Sequence, residues 1–198
     1  MTGRIILAGI LGGIVMFIWT SIAHMFLPLG EAGIHELTNE QTALAALQVS
    51  LGENSGLYIF PGKGAGENPT RQQENEAMKH YGEKLAANPS GILMYYPAGA
   101  RPLSMGKLLT IEFATELLEA VLAVFLLAQT RIVSFGGRVG FVFVIGIVAA
   151  IATNISYWNW YGFPAVYTAA YMSIQIIGFL CIGLVAALVL AKSSPAPA

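Results

Sequence analysis

The chain has 198 residues, 56% of them hydrophobic, with 10 basic and 11 acidic side chains and a net charge of −1. Only 11% are charged, against about 25% in ordinary soluble domains, and mean hydropathy is +0.65; this is the balance of an integral membrane protein. A pI near 6.3 without a basic patch argues against nucleic acid as a partner, and the single cysteine, Cys181, excludes an intrachain disulfide or a cysteine metal cluster.

The first apolar run covers 5–27, long enough for a bilayer crossing of about 20 residues. It exceeds the roughly 7–15 apolar residues of a signal peptide, and no small-residue cleavage site precedes His24-Met25-Phe26-Leu27-Pro28, so it reads as a retained helix. Gly9 and Gly13 within it have the spacing that lets two helix backbones approach closely.

The segment 28–105 is too long for a passive loop. Thr38-Asn39-Glu40-Gln41 matches a capping box and predicts a short helix to about Ser50. Asn68-Pro69-Thr70 followed by Gln73 opens a second, polar helix through Ala87, closed by Asn88-Pro89-Ser90-Gly91. Two aromatic and apolar stretches bounded by Gly and Pro, 56–62 and 91–99, read as strands that pair in one small sheet with the helices packed against it. An aromatic surface resting on the bilayer interface would have the same composition. Gly62-Lys63-Gly64-Ala65-Gly66 lacks the Gly-Lys-Ser/Thr ending of a phosphate loop and reads as a surface turn, so no nucleotide is expected.

The second span, 108–128, carries Glu112, Glu116 and Glu119. At about 100° per residue these fall within roughly 60° of one another, forming one stripe. Ionisable groups at membrane depth cost at least a few kcal/mol each, so they face a protein interior or a water-filled cavity and mark a functional site. The third and fourth spans cover 139–157 and 163–191, with a second close-approach pair, Gly136 and Gly140, at the start of the third.

Arg4, Arg131, Arg138 and Lys192 have no acidic neighbours in sequence. By the positive-inside rule both termini and the 131–138 connection are cytoplasmic, and 28–105 is extracytoplasmic, in a membrane of the bacterial inner type. The expected fold is an all-α membrane protein: a four-transmembrane-helix bundle with a small α+β extramembrane domain inserted between the first and second spans. Its parts are 1–27, 28–105, 106–192 and a disordered tail at 193–198.

With that topology, the polar residues of all four spans share the outer half of the membrane. Glu112, Glu116 and Glu119 are joined there by His24, Asn154, Tyr157, Tyr171 and Gln175, while the inner halves are almost wholly apolar. The pattern predicts a polar vestibule open outward and sealed below. No Lys or Arg within the spans offers the stripe a partner, so a proton, a cation or the cationic part of a ligand must neutralise it. A divalent-metal variant uses Glu112 and Glu116 as oxygen ligands and His24 as a nitrogen ligand. No Glu-x-x-His pair of the di-iron kind occurs, and His35 and His80 lie outside the spans, which argues against haem. Each group also has a bland reading: His24 as an interfacial histidine, Asn154 and Gln175 as interhelical hydrogen bonds, Trp158, Trp160 and Tyr161 as membrane-interface anchors.

Three functions fit these residues. The first is an outward-facing carboxylate pocket that binds a cation, proton or small ligand; translocation would call for an oligomer, since no inverted repeat is evident. The second is a non-catalytic accessory or assembly subunit of a larger membrane complex, its glutamates paired with a partner's basic residues. The third is a membrane enzyme for a lipid-soluble substrate, with a glutamate as acid or base beside Tyr157, Tyr171 or His24. No nucleophile motif or cofactor fingerprint supports the third.

Overall fold

The computed structural model describes residues 2–66 and 68–191; Lys192 and the tail expected at 193–198 lie outside the described residues. The chain forms two compact units, one of Met1–His35 with Ser104–Ala198, the other of Glu36–Leu103.

The first unit holds four long helices: α1 (Thr2–Met25), α4 (Met105–Ala128), α5 (Phe135–Tyr161) and α6 (Ala165–Ala191). Between α1 and α4 the second unit supplies α2 (Glu40–Leu51), β1 (Gly56–Phe60), α3 (Arg71–Ala87) and β2 (Gly91–Tyr95). Local chemistry sets the ends. Ser134 Oγ accepts from Gly137 N at 3.2 Å and starts α5. Gly162, at φ 70°, takes the left-handed conformation that ends it, and Pro164 then opens α6 by accepting from Thr168 N at 3.0 Å.

Among the described residues, three helices are long and apolar enough to cross a membrane: Gly3–Met25, Phe135–Tyr161 and Ala165–Ala191. The protein is thus mostly helical and of membrane type, with a small two-stranded sheet. The fourth long helix, α4, has 24 residues, but its three glutamates keep it outside that class, so the expected count of four spans stands at three plus α4.

The helices pack antiparallel in the order α4–α1–α6–α5. Glycines set the spacing. A Cβ on Gly9 would sit 2.9 Å from Val121 Cα, and one on Gly13 would sit 2.7 Å from Leu117 Cα, so this pair brings α1 against the backbone of α4. Gly178 meets Met16 between α6 and α1, and Gly146 leaves room for Phe179 between α5 and α6. Trp19 Nε1 donates to Ile174 O at 2.8 Å, tying α1 to α6. By contrast, a Cβ on Gly136 or Gly140 would meet nothing within 4 Å, so the second glycine pair makes no close approach to another helix among the described residues.

One end of this unit carries Arg4, Arg131 and Arg138; the other carries Trp158, Trp160 and Tyr161. The core lies toward the arginine end, built from Ala8, Ala120, Val124, Leu127, Val142, Ile182 and Ala186. Toward the aromatic end the packing thins unequally. The α1 and α6 helices stay buried along their lengths, down to Ala23 and Thr168. In α4 no residue before Glu116 is buried, and in α5 none after Ala150. The outer parts of α4 and α5 are therefore more open than the α1–α6 pair beside them.

In the second unit, β1 and β2 pair antiparallel from Gly56↔Tyr95 to Phe60↔Gly91. Both strands are shorter than expected, because Pro61 and Pro97 cannot donate to a ladder. The Thr70 capping box forms: Gln73 N donates to Thr70 Oγ1 at 3.3 Å and Thr70 N to Gln73 Oε1 at 2.9 Å. At α2 the box expected from Thr38 is not made; Asn39 precedes the helix without a side-chain cap. The segment 62–66 has no regular structure, with Gly64 and Gly66 at φ near 80° and Lys84 Nζ donating to Gly62 O at 2.7 Å. None of the described residues of Glu36–Leu103 is buried. The packing of helices on this sheet is thus a corrected expectation. The polar α3 offers one short apolar row, Met78, Tyr81 and Leu85, and Met78 is 51% exposed.

Candidate functional site

The three glutamates differ in surroundings although they share a stripe. Glu112 is exposed, Glu119 half-buried, and Glu116 only 3% exposed, at the point where the buried face of α4 begins. That face continues through Ala120, Ala123, Val124 and Leu127 at helical spacing, so Glu116 occupies the position one turn before the apolar core starts. Its carboxylate accepts a hydrogen bond from the Thr20 side chain, while Oε2 is buried with no partner among the described residues. Thr20, 8% exposed, lies on the face of α1 that also buries Met16 and Ala23. In a helix each Cα–Cβ bond leans toward the N-terminus; in this antiparallel pair the two side chains therefore lean toward each other. Phe17 and Phe113 stack edge to face beside them, ring centroids 5.2 Å apart, and close the α1–α4 seam.

The other expected site residues sort into two further groups. His24 is exposed in the last turn of α1. Its Nδ1 donates to Thr20 O at 2.9 Å, the role a carbonyl acceptor imposes. Its ring meets Tyr171 edge-on at 5.9 Å, and Tyr171 OH donates to Gly30 O at 3.2 Å. Tyr171 stacks on Tyr167 at 4.3 Å, and the row continues through Phe163 to Tyr157, which is 50% exposed. Asn154 Nδ2 donates to Ala150 O at 3.0 Å and to Gln175 Oε1 at 3.5 Å, joining α5 to α6. Those two amides are thus joined to each other, with Asn154 also tied to backbone.

The single vestibule expected from the sequence is therefore divided among an α1–α4 carboxylate–hydroxyl pair, a His–Tyr row on α1 and α6, and an α5–α6 amide pair. Glu112 connects the first two, within electrostatic reach of Glu116, Glu119 and Tyr171. The metal triad of Glu112, Glu116 and His24 does not form: among the described residues no three His, Cys, Asp or Glu side chains come together in a group that could hold a metal ion. His24 is committed to the backbone one turn below it, and Glu112 points into the open. Two surface grooves, of about 360 and 480 Å3, lie toward the arginine end, and neither is lined by a glutamate.

Two residues of the unit, Thr20 (a polar residue of the first span's outer third) and Arg138, lie outside the expected site residues. Thr20 could have been found from the Met16, Thr20, Ala23 spacing, which puts it on a face with small and apolar residues. Arg138, read as a topology signal, is 9% exposed; its Nε donates to Ile132 O at 3.2 Å, bracing the α4–α5 connection, and one terminal nitrogen is buried without a partner. Nothing in its sequence neighbourhood announces that burial.

No family model matches this chain, and neither the curated proteins nor the solved structures contain a match.

Proposed function

We propose that this is a small integral membrane protein whose intramembrane carboxylate site, centred on Glu116 and opening toward the aromatic end, binds a proton or small cation. The observation that carries the reading is the Glu116 carboxylate, 3% exposed, with one oxygen unpartnered. Burying a carboxylate without compensation costs several kcal/mol, so its charge calls for a proton, a cation or a cationic ligand group. One carboxylate and one hydroxyl suit a proton or a monovalent or ammonium-type cation; hard divalent ions take six or more oxygen ligands. The absence of buried positions in α4 before Glu116 and in α5 after Ala150 supports access from that side, and the apolar core supports closure on the other. With the arginine end cytoplasmic, the site opens outward.

Thermal unfolding of the detergent-solubilised full chain tests this across pH and a panel of alkali, ammonium, alkylammonium and divalent cations. A bound ligand at about 100 times its Kd adds about 2.7 kcal/mol. The expected result is a response in the wild type that Glu116→Gln abolishes and Glu112→Gln retains. A wild-type profile indifferent to every cation and to pH, or an equal response in Glu116→Gln, refutes the proposal.

A second reading, an accessory subunit of a larger membrane complex, is favoured by a separate observation. The Glu36–Leu103 unit buries none of its described residues, and Leu57, Ile59 and Met94 stand 54–69% exposed on one face of the sheet. A two-stranded sheet without cover is marginal. Purification in mild detergent separates the readings: co-elution with stoichiometric partners supports the second, a lone species that retains cation-dependent stability the first.

A further inference from the structure

We propose that the groove between α1 and α6 at the arginine end is a binding site for an anionic phospholipid, its phosphate held by Arg4 and one acyl chain lying along the groove. The groove has a volume of about 480 Å3 and is lined by Arg4, Leu7, Leu11, Leu188 and Val189, within the roughly 300–1,000 Å3 of small-molecule sites. Arg4, Leu7 and Leu11 follow i, i+3, i+7 spacing, which places them within about 60° on one face of α1 over about 10 Å of its length. The antiparallel α6 contributes Leu188 and Val189 from its last turns, so one cation tops an apolar channel that runs into the membrane.

The occupant follows from charge. Among the described residues Arg4 makes no ion pair or hydrogen bond. No acidic residue precedes Glu31 or follows Glu119, and Glu119 stops nine residues, about 14 Å of helix, short of the end of α4. Among the described residues this end of the protein therefore holds arginines and no acidic side chain to meet them. A guanidinium binds phosphate oxygens through two parallel N–H groups, and its aliphatic stem covers apolar surface while the charge stays at headgroup level. The apolar lining is open to lipid, with Leu7 48% and Leu188 60% exposed. Both flanking helices are among those able to cross a membrane. A free phosphate would leave that channel empty; an anionic phospholipid matches both parts. The second groove, lined by Phe135, Gly136, Val139, Gly140, Phe143 and Leu180, has no cation and serves as an internal contrast.

Native mass spectrometry of the full chain, with equimolar phosphatidylglycerol and phosphatidylcholine, tests the site. The wild type should retain phosphatidylglycerol about fivefold more than phosphatidylcholine, the scale for one basic side chain at an anionic surface. Arg4→Gln should erase the preference and Arg4→Lys keep most of it. Leu188→Trp, which fills the groove from an exposed position, should lower retention of phosphatidylglycerol, whereas Arg131→Gln and Gly140→Ala should leave the preference in place. Equal retention of both lipids by the wild type, a preference surviving Arg4→Gln, or displacement of the lipid by millimolar inorganic phosphate overturns the proposal.

Discussion

Replacing Gly13 with alanine tests the α1–α4 contact on which the Glu116 site is built. The added Cβ would lie 2.7 Å from Leu117 Cα and 3.3 Å from Glu116 O. Both are backbone atoms, so no side chain can turn aside. Ordinary contact needs 3.4–4 Å, and restoring it moves the helices apart by roughly 1 Å at the turn carrying Glu116. Overpacking of this kind costs about 1–3 kcal/mol. Against it stands a gain of about 0.5–1 kcal/mol, because alanine suits a helix interior better than glycine. Gly140→Ala isolates that gain, since nothing lies within 4 Å of its Cβ position. Equilibrium unfolding in detergent should therefore place Gly13→Ala about 1–3 kcal/mol below Gly140→Ala, with cation-dependent stabilisation weakened in the former alone. Equal stability of the two variants would refute the packing argument.

Without added cation, Glu116→Gln should unfold no more easily than the wild type, because it removes a buried charge with an unpartnered oxygen; Glu112→Gln, at an exposed position, should stay within about 0.5 kcal/mol. Trp19→Phe deletes the 2.8 Å bond from α1 to Ile174 O and should cost about 0.5–1.5 kcal/mol by the same unfolding assay. Thr70→Ala removes the Oγ1 acceptor for Gln73 N but keeps the backbone bond to Gln73 Oε1, and hydrogen exchange should show the first turn of α3 opening with a loss of about 1 kcal/mol.

Periodicity and punctuation made most of the helices legible: α4, α5 and α6 lie where their apolar runs indicate, and Thr70-x-x-Gln73 marks the start of α3. Thr38 failed for a local reason. The helix starts at Glu40, one residue later than a Thr38 cap requires, so Asn39 holds the position before α2 without a side-chain bond. The carboxylate stripe was readable as a stripe, but angular spacing alone does not say which member faces a neighbour. That depends on α4 packing mainly on α1 through Gly9 and Gly13, which buries Glu116 and leaves Glu112 in the open. The pooling of His24, Asn154 and Gln175 with the glutamates failed because shared depth is not shared direction: the two amides close on each other across α5 and α6. The expected helix-on-sheet core is not made by α3, whose one apolar row of Met78, Tyr81 and Leu85 is too short to bury and leaves Met78 and Leu85 exposed.

The central claim is that Glu116 is enclosed by the protein and offers its free oxygen to a cationic or protonated group. An experimental density map of the protein in native lipid particles, held by a rigid binder, tests this directly. The prediction is density for an ion, an ordered water or a ligand amine about 3 Å from Glu116 Oε2, lost in Glu116→Gln. A basic side chain of another polypeptide at that point would contradict the account and favour the assembly-subunit reading; a Glu116 carboxylate turned outward into lipid or bulk water would end both.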